Sequence, residues 1–487
     1  MTSFLIALAV LIGGYFIYGL FVEKIFGIDS KRKTPAYTMR DNVDYMPLPT
    51  WKVFLIQFLN IAGLGPIFGA IMGVMFGPAA FIWIVVGTIF AGAVHDFISG
   101  AISIRARGMS LPEIVGNELG SGIKQVMRVF SLVLMILVGA VFVSQPADLI
   151  AGMTPESLDR VFWVIVIFIY YMLATVLPID KLIGNLYPVF GFALLFMAVG
   201  ILGVLIFGES TLNLDFTQGL QSQHPKELPI FPMMFVSIAC GAISGFHATQ
   251  SPLMARCMKH EKHCRPIFYG AMIAEGIVAL IWAAAAIAFT GGYTELQQYL
   301  GNSSPAVLVN NLSNSWLGAF GGVLAVLGVI AAPITSGDTA LRSARLIAAD
   351  FLKIKQKQIS KRLMVSIPIF ILCFIIMLIP YEVLWRYFAW CNQVLSVFTL
   401  WSITVYLAKQ KKNYFITLLP ALFMTSVTVT YIFFAPEGFS QLTQLVADYK
   451  IGYMPAVTIG IATAALFYLL FVRFISLYKK NEMLNKR

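Results

Sequence analysis

Charge is scarce in this chain. Of 487 residues only 12% are Asp, Glu, Lys or Arg, about half the ~25% of ordinary water-soluble chains. A soluble fold must present polar atoms to water, and a chain of this length has too few of them here. Cysteine is sparse as well: Cys240, Cys257, Cys264, Cys373 and Cys391 form no CxxC pair and keep no regular spacing, which argues against a disulfide framework. No phosphate loop of the GxxxxGK(S/T) kind is present, so ATP-driven pumping has no nucleotide site. HExxH and GxSxG are missing too, and with them the commoner hydrolase signatures. The 34 basic residues exceed the 23 acidic ones, yet they are scattered over short segments rather than gathered into a nucleic-acid surface.

What the chain has in abundance is apolar length. Hydrophobic residues make up 59% of it, in runs such as FLIALAVLIGGYFIYGLFV and VFWVIVIFIYYMLATVL, close to the roughly 20 residues that a bilayer core requires. The first run has no Lys or Arg before it and passes into FVEKIFG without a small-residue cleavage site, so it reads as a mature span and not a leader. Breaks at Pro, Gly and charge clusters predict about thirteen transmembrane helices, near 4–22, 53–77, 79–104, 127–148, 161–179, 186–208, 230–251, 267–291, 316–337, 364–380, 383–407, 414–434 and 455–476.

Alternate connections then fall on one side of the membrane. The segments around 24–52, 105–128, Lys181, 256–265, 342–362, 409–412 and 473–487 carry 30 of the 34 Lys and Arg. Basic residues near span ends are retained in the cytoplasm, which puts the N-terminus outside and the C-terminus inside.

After an extra helix in 1–26, ten helices divide into five in 51–208 and five in 230–407; 413–487 adds two helices and a basic tail. Each half opens on an interrupted helix. The first has NIAGLGPIFGA, with Asn60, Ala62, Gly63, Gly65 and Pro66. The second has ACGAISGFHA, with Gly241, Ser244, Gly245 and His247. Aligned on Gly63 and Gly241, both place Phe five residues on (Phe68, Phe246) and Ala seven on (Ala70, Ala248). Five is odd, so the halves enter the membrane in opposite senses, the signature of an inverted repeat. Backbone that leaves a helix at this depth must line a cavity or be buried in protein. Half-helix N-termini then offer N–H groups and partial positive charge to an anionic group such as a carboxylate, and loose carbonyls suit a cation. The alternative is that these glycines only allow close helix packing.

Ionisable residues at depth are costly and therefore point to a partner or a task. His95 and Asp96 lie in AGAVHDFISG, and Glu275 in GAMIAEGIV, on helices of equal rank in the two repeats. Either carboxylate suits proton exchange or ion ligation; each also suits a structural pair. His247 titrates in a range that fits a proton-coupled step, or packs as a satisfied histidine. APITSGDTALRSAR gathers Thr335, Ser336, Asp338 and Thr339, hard oxygens for Na⁺ or a proton path; Asp338 four residues before Arg342 also fits a plain helical ion pair. CMKHEKHC is loosely zinc-like on a helix but has no second ligand pair, and no metal site is expected.

Five blocks carry a resemblance: PTWKVFLIQFLNIAGLGPIFGAIMG, AGAVHDFISGAISIRARGMSLPEIV, FVSIACGAISGFHATQSP, TSGDTALRSARLI and WRYFAWCNQVLS. In this order, over most of 47–407, they resemble the successive motifs of the carbon starvation (CstA) family, of which this chain looks like a short form. The resemblance implies an inner-membrane permease for peptides used when preferred carbon is scarce, with relatives linked to pyruvate uptake by proton symport, and a LeuT-like five-plus-five fold. By analogy with that fold, Gly63, Gly65, Pro66, Gly241, Ser244 and Gly245 hold substrate, and a cation site falls near Ala62 to Gly65 and Thr335 to Ser336.

The expectation is an all-α polytopic transporter in the bilayer that takes a small-molecule substrate, a peptide or carboxylate. It needs no cofactor beyond a transported Na⁺ or H⁺ and no nucleic acid. A membrane nutrient sensor is the rival reading, disfavoured because the longest inner loop, 23–52, is too short for a signalling domain.

Overall fold

The computed structural model describes the chain except residue 153 and residues 178–182, 209–219, 380, 437, 448–449 and 485–487. Lys181, Lys486 and Arg487, counted above among the inner basic residues, lie outside the described residues.

The described residues form helices and no strands, one of the two ways a bilayer-buried backbone can pair all its polar groups. Besides short connecting helices such as Leu111–Leu119 and Tyr293–Asn302, they are in chain order α1 (Thr2–Phe26), the bent pair α2a (Thr50–Ile61) and α2b (Gly65–Phe76), α3 (Ala79–Arg105), α4 (Ser121–Ala151), α5 (Arg160–Val176) and α6 (Ile183–Phe207). The second half has α7a (230–237) and α7b (Gly245–Ala255), α8 (Glu261–Thr290), α9 (Pro305–Leu352, kinked at Gly318), α10 (Ile359–Ile376), α11 (Tyr381–Lys409), α12 (Phe415–Phe434) and α13 (Tyr453–Leu484). Among the described residues ten helices are long and apolar enough to cross a membrane, eleven with the α2 pair as one span. α5, at 17 residues, and the two pieces of α7 fall short of that length, so helix length does not by itself establish thirteen crossings. Apolar side chains stay exposed on α1, α10 and α13 (Ile17, Ile371 and Leu469 among them), the faces a bilayer would cover.

The two halves pack reciprocally. α2 lies against α8 and α7b against α3; α6 lies against α2 and α9, and α11 against α7b and α4; α4 and α9 pack on each other. Each of these contacts between a helix of one half and a helix of the other has a mate with the ranks exchanged. An approximate two-fold relating two five-helix repeats produces this pattern.

Both opening helices are broken. α2 bends by 54° where Ala62 leaves helical geometry (φ −79°, ψ 53°), and α2b restarts at Gly65–Pro66, where the missing proline N–H costs nothing. α7a ends at Ile238 (φ −91°, ψ 48°), and α7b starts only after an extended Ser244. The breaks touch: a Cβ on Gly65 would lie 2.1 Å from Cys240 Cβ, and one on Gly241 3.8 Å from Pro66 Cα. Glycine is needed at Gly65 for this approach.

α9 runs to Leu352, well past the expected end at 337, because its charges are paired and buried. Arg342 and Arg345 bond Asp44 in the loop before α2 at 2.6 and 3.1 Å. Burial alone would raise the Asp44 carboxyl, but Arg345, Arg342 and Arg256 outweigh it and hold the group well below the usual carboxylate range. The same loop bonds the α7b–α8 connection through Thr34 Oγ1 to Met258 O (2.5 Å) and Leu48 N–H to Cys257 O (3.0 Å). A cavity of about 810 Å³ lies beside it, lined by Asp44, Arg256 and Asp350 among others, away from the two breaks.

Candidate functional site

α3 carries a wide π-turn over Thr88–Gly92, a feature frequent at functional sites, and small residues there let it approach the α7 break. Thr88 Oγ1 donates to Gly241 O at 3.0 Å, and a Cβ on Gly92 would lie 2.2 Å from Ala242 O. This contact places the next turn of α3, with His95 and Asp96, against the first turn of α7b. His95 Nδ1 lies 2.8 Å from Asp96 Oδ1, and His247 Nδ1 lies 2.9 Å from Asp96 Oδ2. On its other side His247 Nε2 is 3.5 Å from Glu275 Oε2 on α8. That is ion-pair range, but the alignment is not that of a hydrogen bond, and both Glu275 oxygens and His247 Nε2 lack a hydrogen-bond partner. All four side chains are fully buried.

The geometry constrains the protons. Asp96 as a carboxylate only accepts, so each histidine must carry hydrogen on Nδ1. His247 therefore stands between the two carboxylates, bonded to Asp96 and within ion-pair range of Glu275. Two ionised carboxylates flanking neutral imidazoles would be expensive at this depth; one added proton halves that charge.

The expected substrate-binding residues divide. Gly63, Gly65, Pro66 and Gly241 lie at the contacting breaks; Gly63 also faces Phe142 and Ser336. Ser244 and Gly245 open α7b, but against α11: the Ser244 hydroxyl and the Phe246 N–H both donate to Asn392 Oδ1, at 3.0 and 2.7 Å. Two carbonyls of the α7 break are held, Gly241 O by Thr88 and Ile243 O by Gln393 Nε2 at 3.0 Å. Asn60 is buried with both amide atoms unpartnered, and so is Gln57 one turn earlier.

The α9 residues form a separate group. Ser336 Oγ donates to Leu59 O at 3.0 Å, beside Ala62, while Thr335 Oγ1 turns onto Ala332 O of its own helix at 2.9 Å. Asp338 accepts from Tyr170 OH at 2.7 Å and from Tyr187 OH, which also donates to Thr335 O at 2.7 Å. Asp338 does not pair with Arg342, whose guanidinium is committed to Asp44 and to Leu177 O at 2.5 Å.

Sequence reasoning missed Asn392, Gln57, Tyr170 and Tyr187. A glutamine three residues before Asn60 inside an apolar run was a usable signal for Gln57, and the Asn-Gln pair in WCNQVLS was one for Asn392. Nothing in the sequence ties α5 or α6 to Asp338.

The same arrangement of helices occurs in solved transporters. MhsT in complex with L-phenylalanine is similar over 88% of this chain and 98% of its own, with a TM-score of 0.54 at 14% identity. A manganese transporter of Eremococcus coleocola is similar over 91% and 99%, with a TM-score of 0.53 at 13% identity. Likeness at this identity establishes the fold, and the relatives with named activities are membrane transporters rather than enzymes. The sequence profile described as Carbon starvation protein CstA matches residues 1–157, 147–316 and 290–431. The chain belongs to the carbon starvation protein CstA family. It is 45% identical over 340 residues, 59% of this chain and 91% of the relative, to an uncharacterised membrane protein of Haemophilus influenzae. The peptide transporter CstA of Campylobacter jejuni is 28% identical over 62% of this chain and 51% of its own length. The pyruvate/proton symporter BtsT of Escherichia coli is 27% identical over 58% and 48%. The chain therefore spans about half the length of these named transporters.

Proposed function

We propose that the chain is a proton-coupled symporter that imports small carboxylate-bearing nutrients, peptides first, across the cytoplasmic membrane under carbon or nutrient starvation. The observation that carries this reading is His247, seated at the start of a broken helix between Asp96 and Glu275. One residue thereby links a proton-holding pair to the element that must rearrange during alternating access. The peptide reading rests on the Campylobacter relative; pyruvate is the second reading, supported by the Escherichia relative of nearly equal identity. The charge asymmetry supports an external N-terminus and a cytoplasmic C-terminus.

The test is uptake of radiolabelled dialanine and pyruvate into proteoliposomes, with inward H⁺ and Na⁺ gradients imposed separately. Accumulation driven by the H⁺ gradient and abolished by an uncoupler is expected. Uptake driven by Na⁺ alone overturns the coupling, and no uptake of either solute under either gradient favours the sensor reading.

A further inference from the structure

α7b presents the N-terminus that a carboxylate should seek, and a side chain from another helix already occupies it. Ser244 stands at the capping position in extended geometry (φ −144°, ψ 124°), yet its hydroxyl makes no bond to its own helix. It donates to Asn392 Oδ1 on α11, and the Phe246 N–H donates to the same oxygen, at 3.0 and 2.7 Å. One carboxamide oxygen therefore collects two donors at the positive end of an eleven-residue half-helix. Asn392 is fully buried, and its amide nitrogen faces Cys240 Sγ at 3.5 Å, a weak acceptor. The neighbouring Gln393 is buried as well and leaves Oε1 unpartnered. The backbones are locked at this point: a Cβ on Gly245 would lie 2.3 Å from Ser396 N and 2.5 Å from Asn392 O.

We propose that Asn392 Oδ1 occupies the place of a substrate carboxylate oxygen, so that a carboxylate-bearing substrate binds Ser244 and Phe246 N–H by displacing Asn392, which thereby sets specificity for carboxylates. This rests on the transport reading above for what the bound solute does next, but the binding step stands on the geometry alone. With no substrate bound, Asn392 keeps a hydroxyl and an N–H from standing unpaired inside the membrane. A carboxylate forms the same two bonds with charge assistance, roughly twice as strong as neutral ones, and gains the helix dipole. An amide offers the same kind of oxygen as Asn392 and gains nothing by the exchange. The site therefore discriminates between a free carboxylate and its amide.

The test compares wild type, Asn392→Asp and Asn392→Ala of the full chain, with pyruvate, dialanine and dialanine amide as probes. Two readouts are used: uptake into proteoliposomes, and the melting-temperature shift each probe causes in detergent. Asp caps a helix as well as Asn, so a purely structural role predicts that Asn392→Asp keeps both stability and uptake. The displacement reading predicts that Asn392→Asp melts at or above wild type, yet its KM for pyruvate and dialanine rises about tenfold or more and the probes no longer shift its melting. Asn392→Ala should lower KM for the carboxylates about threefold and make dialanine amide a competitor. Wild-type KM in Asn392→Asp overturns the assignment, and so does an Asn392→Ala variant whose melting and Vmax change while KM does not. If Asn392→Ala fails to fold, the Asn392→Asp comparison decides. The melting shifts separate the two claims: carboxylate-induced shifts without uptake sink the transport reading alone, and no shift in any of the three proteins sinks the role of Asn392.

Discussion

The contact between the two breaks can be tested by filling it. A Cβ on Gly65 would lie 2.1 Å from Cys240 Cβ and 2.5 Å from its Sγ, far inside the ~3.5–4.0 Å at which carbon atoms rest. The nearest backbone atom, Cys240 Cα, is 3.4 Å away, so the obstacle is almost wholly one side chain. Gly65→Ala should therefore destabilise the protein by about 1–3 kcal/mol, the usual cost of overpacking a close-packed core, and depress uptake. Cys240→Gly removes both close atoms and should restore much of the loss in the double variant, a coupling within the ~0.5–3 kcal/mol seen for touching residues. The four proteins of the cycle would be compared by thermal melting in detergent and by uptake in proteoliposomes. Gly245→Ala is the control, because the atoms its Cβ meets belong to the backbone of α11 and no side-chain change can yield space there. Additive effects of Gly65→Ala and Cys240→Gly would refute the claim that the two broken helices meet at this pair.

The remaining predictions follow the charges. Asp96→Asn and Glu275→Gln should each leave an inserted, folded protein whose uptake no longer responds to an imposed pH gradient; retained pH dependence in both would remove the cluster from coupling. His247→Gln should lose uptake more completely than His95→Gln, since only His247 reaches both carboxylates; equal losses measured in proteoliposomes would refute the relay. Asp44→Ala leaves Arg342 and Arg345 buried without their carboxylate and should cost about 3–5 kcal/mol by thermal melting. Because the folded Asp44 carboxyl is held low, its contribution is complete above the ordinary Asp value of about 3.9 and fades as pH falls below it. The gap between wild type and Asp44→Ala should therefore be constant from pH 5 to 8 (about the neutral range) and narrow in acid; a gap that widens in acid would refute the sign.

Much of the frame was legible because it depends on local composition. Too few charges for a water-facing surface, apolar runs of bilayer length and glycine-bearing interruptions at Gly63–Pro66 and Gly241–Gly245 are all visible without a fold. Matching interruptions at the start of two five-helix stretches point to opposed repeats before any packing is known. Single polar residues at depth were also visible, since the cost of burying Asp96 or Glu275 does not depend on which helix lies alongside.

Partnership was decided only by tertiary structure. Asp96 and His247 are 151 residues apart, and their meeting depends on how α3 turns its π-wound stretch toward the α7 break. Asn392 reaches Ser244 only because Gly245 lets two backbones touch, and Tyr170 and Tyr187 take Asp338 from Arg342 because α5 and α6 lie against α9. The end of α9 shows the limit most plainly: Arg342 and Arg345 look like charges that close a span until Asp44, from a loop some 300 residues earlier, folds over to pair with them. Sequence carries the energetic cost of each buried group; the rotation and contact of helices determine which neighbour offsets it.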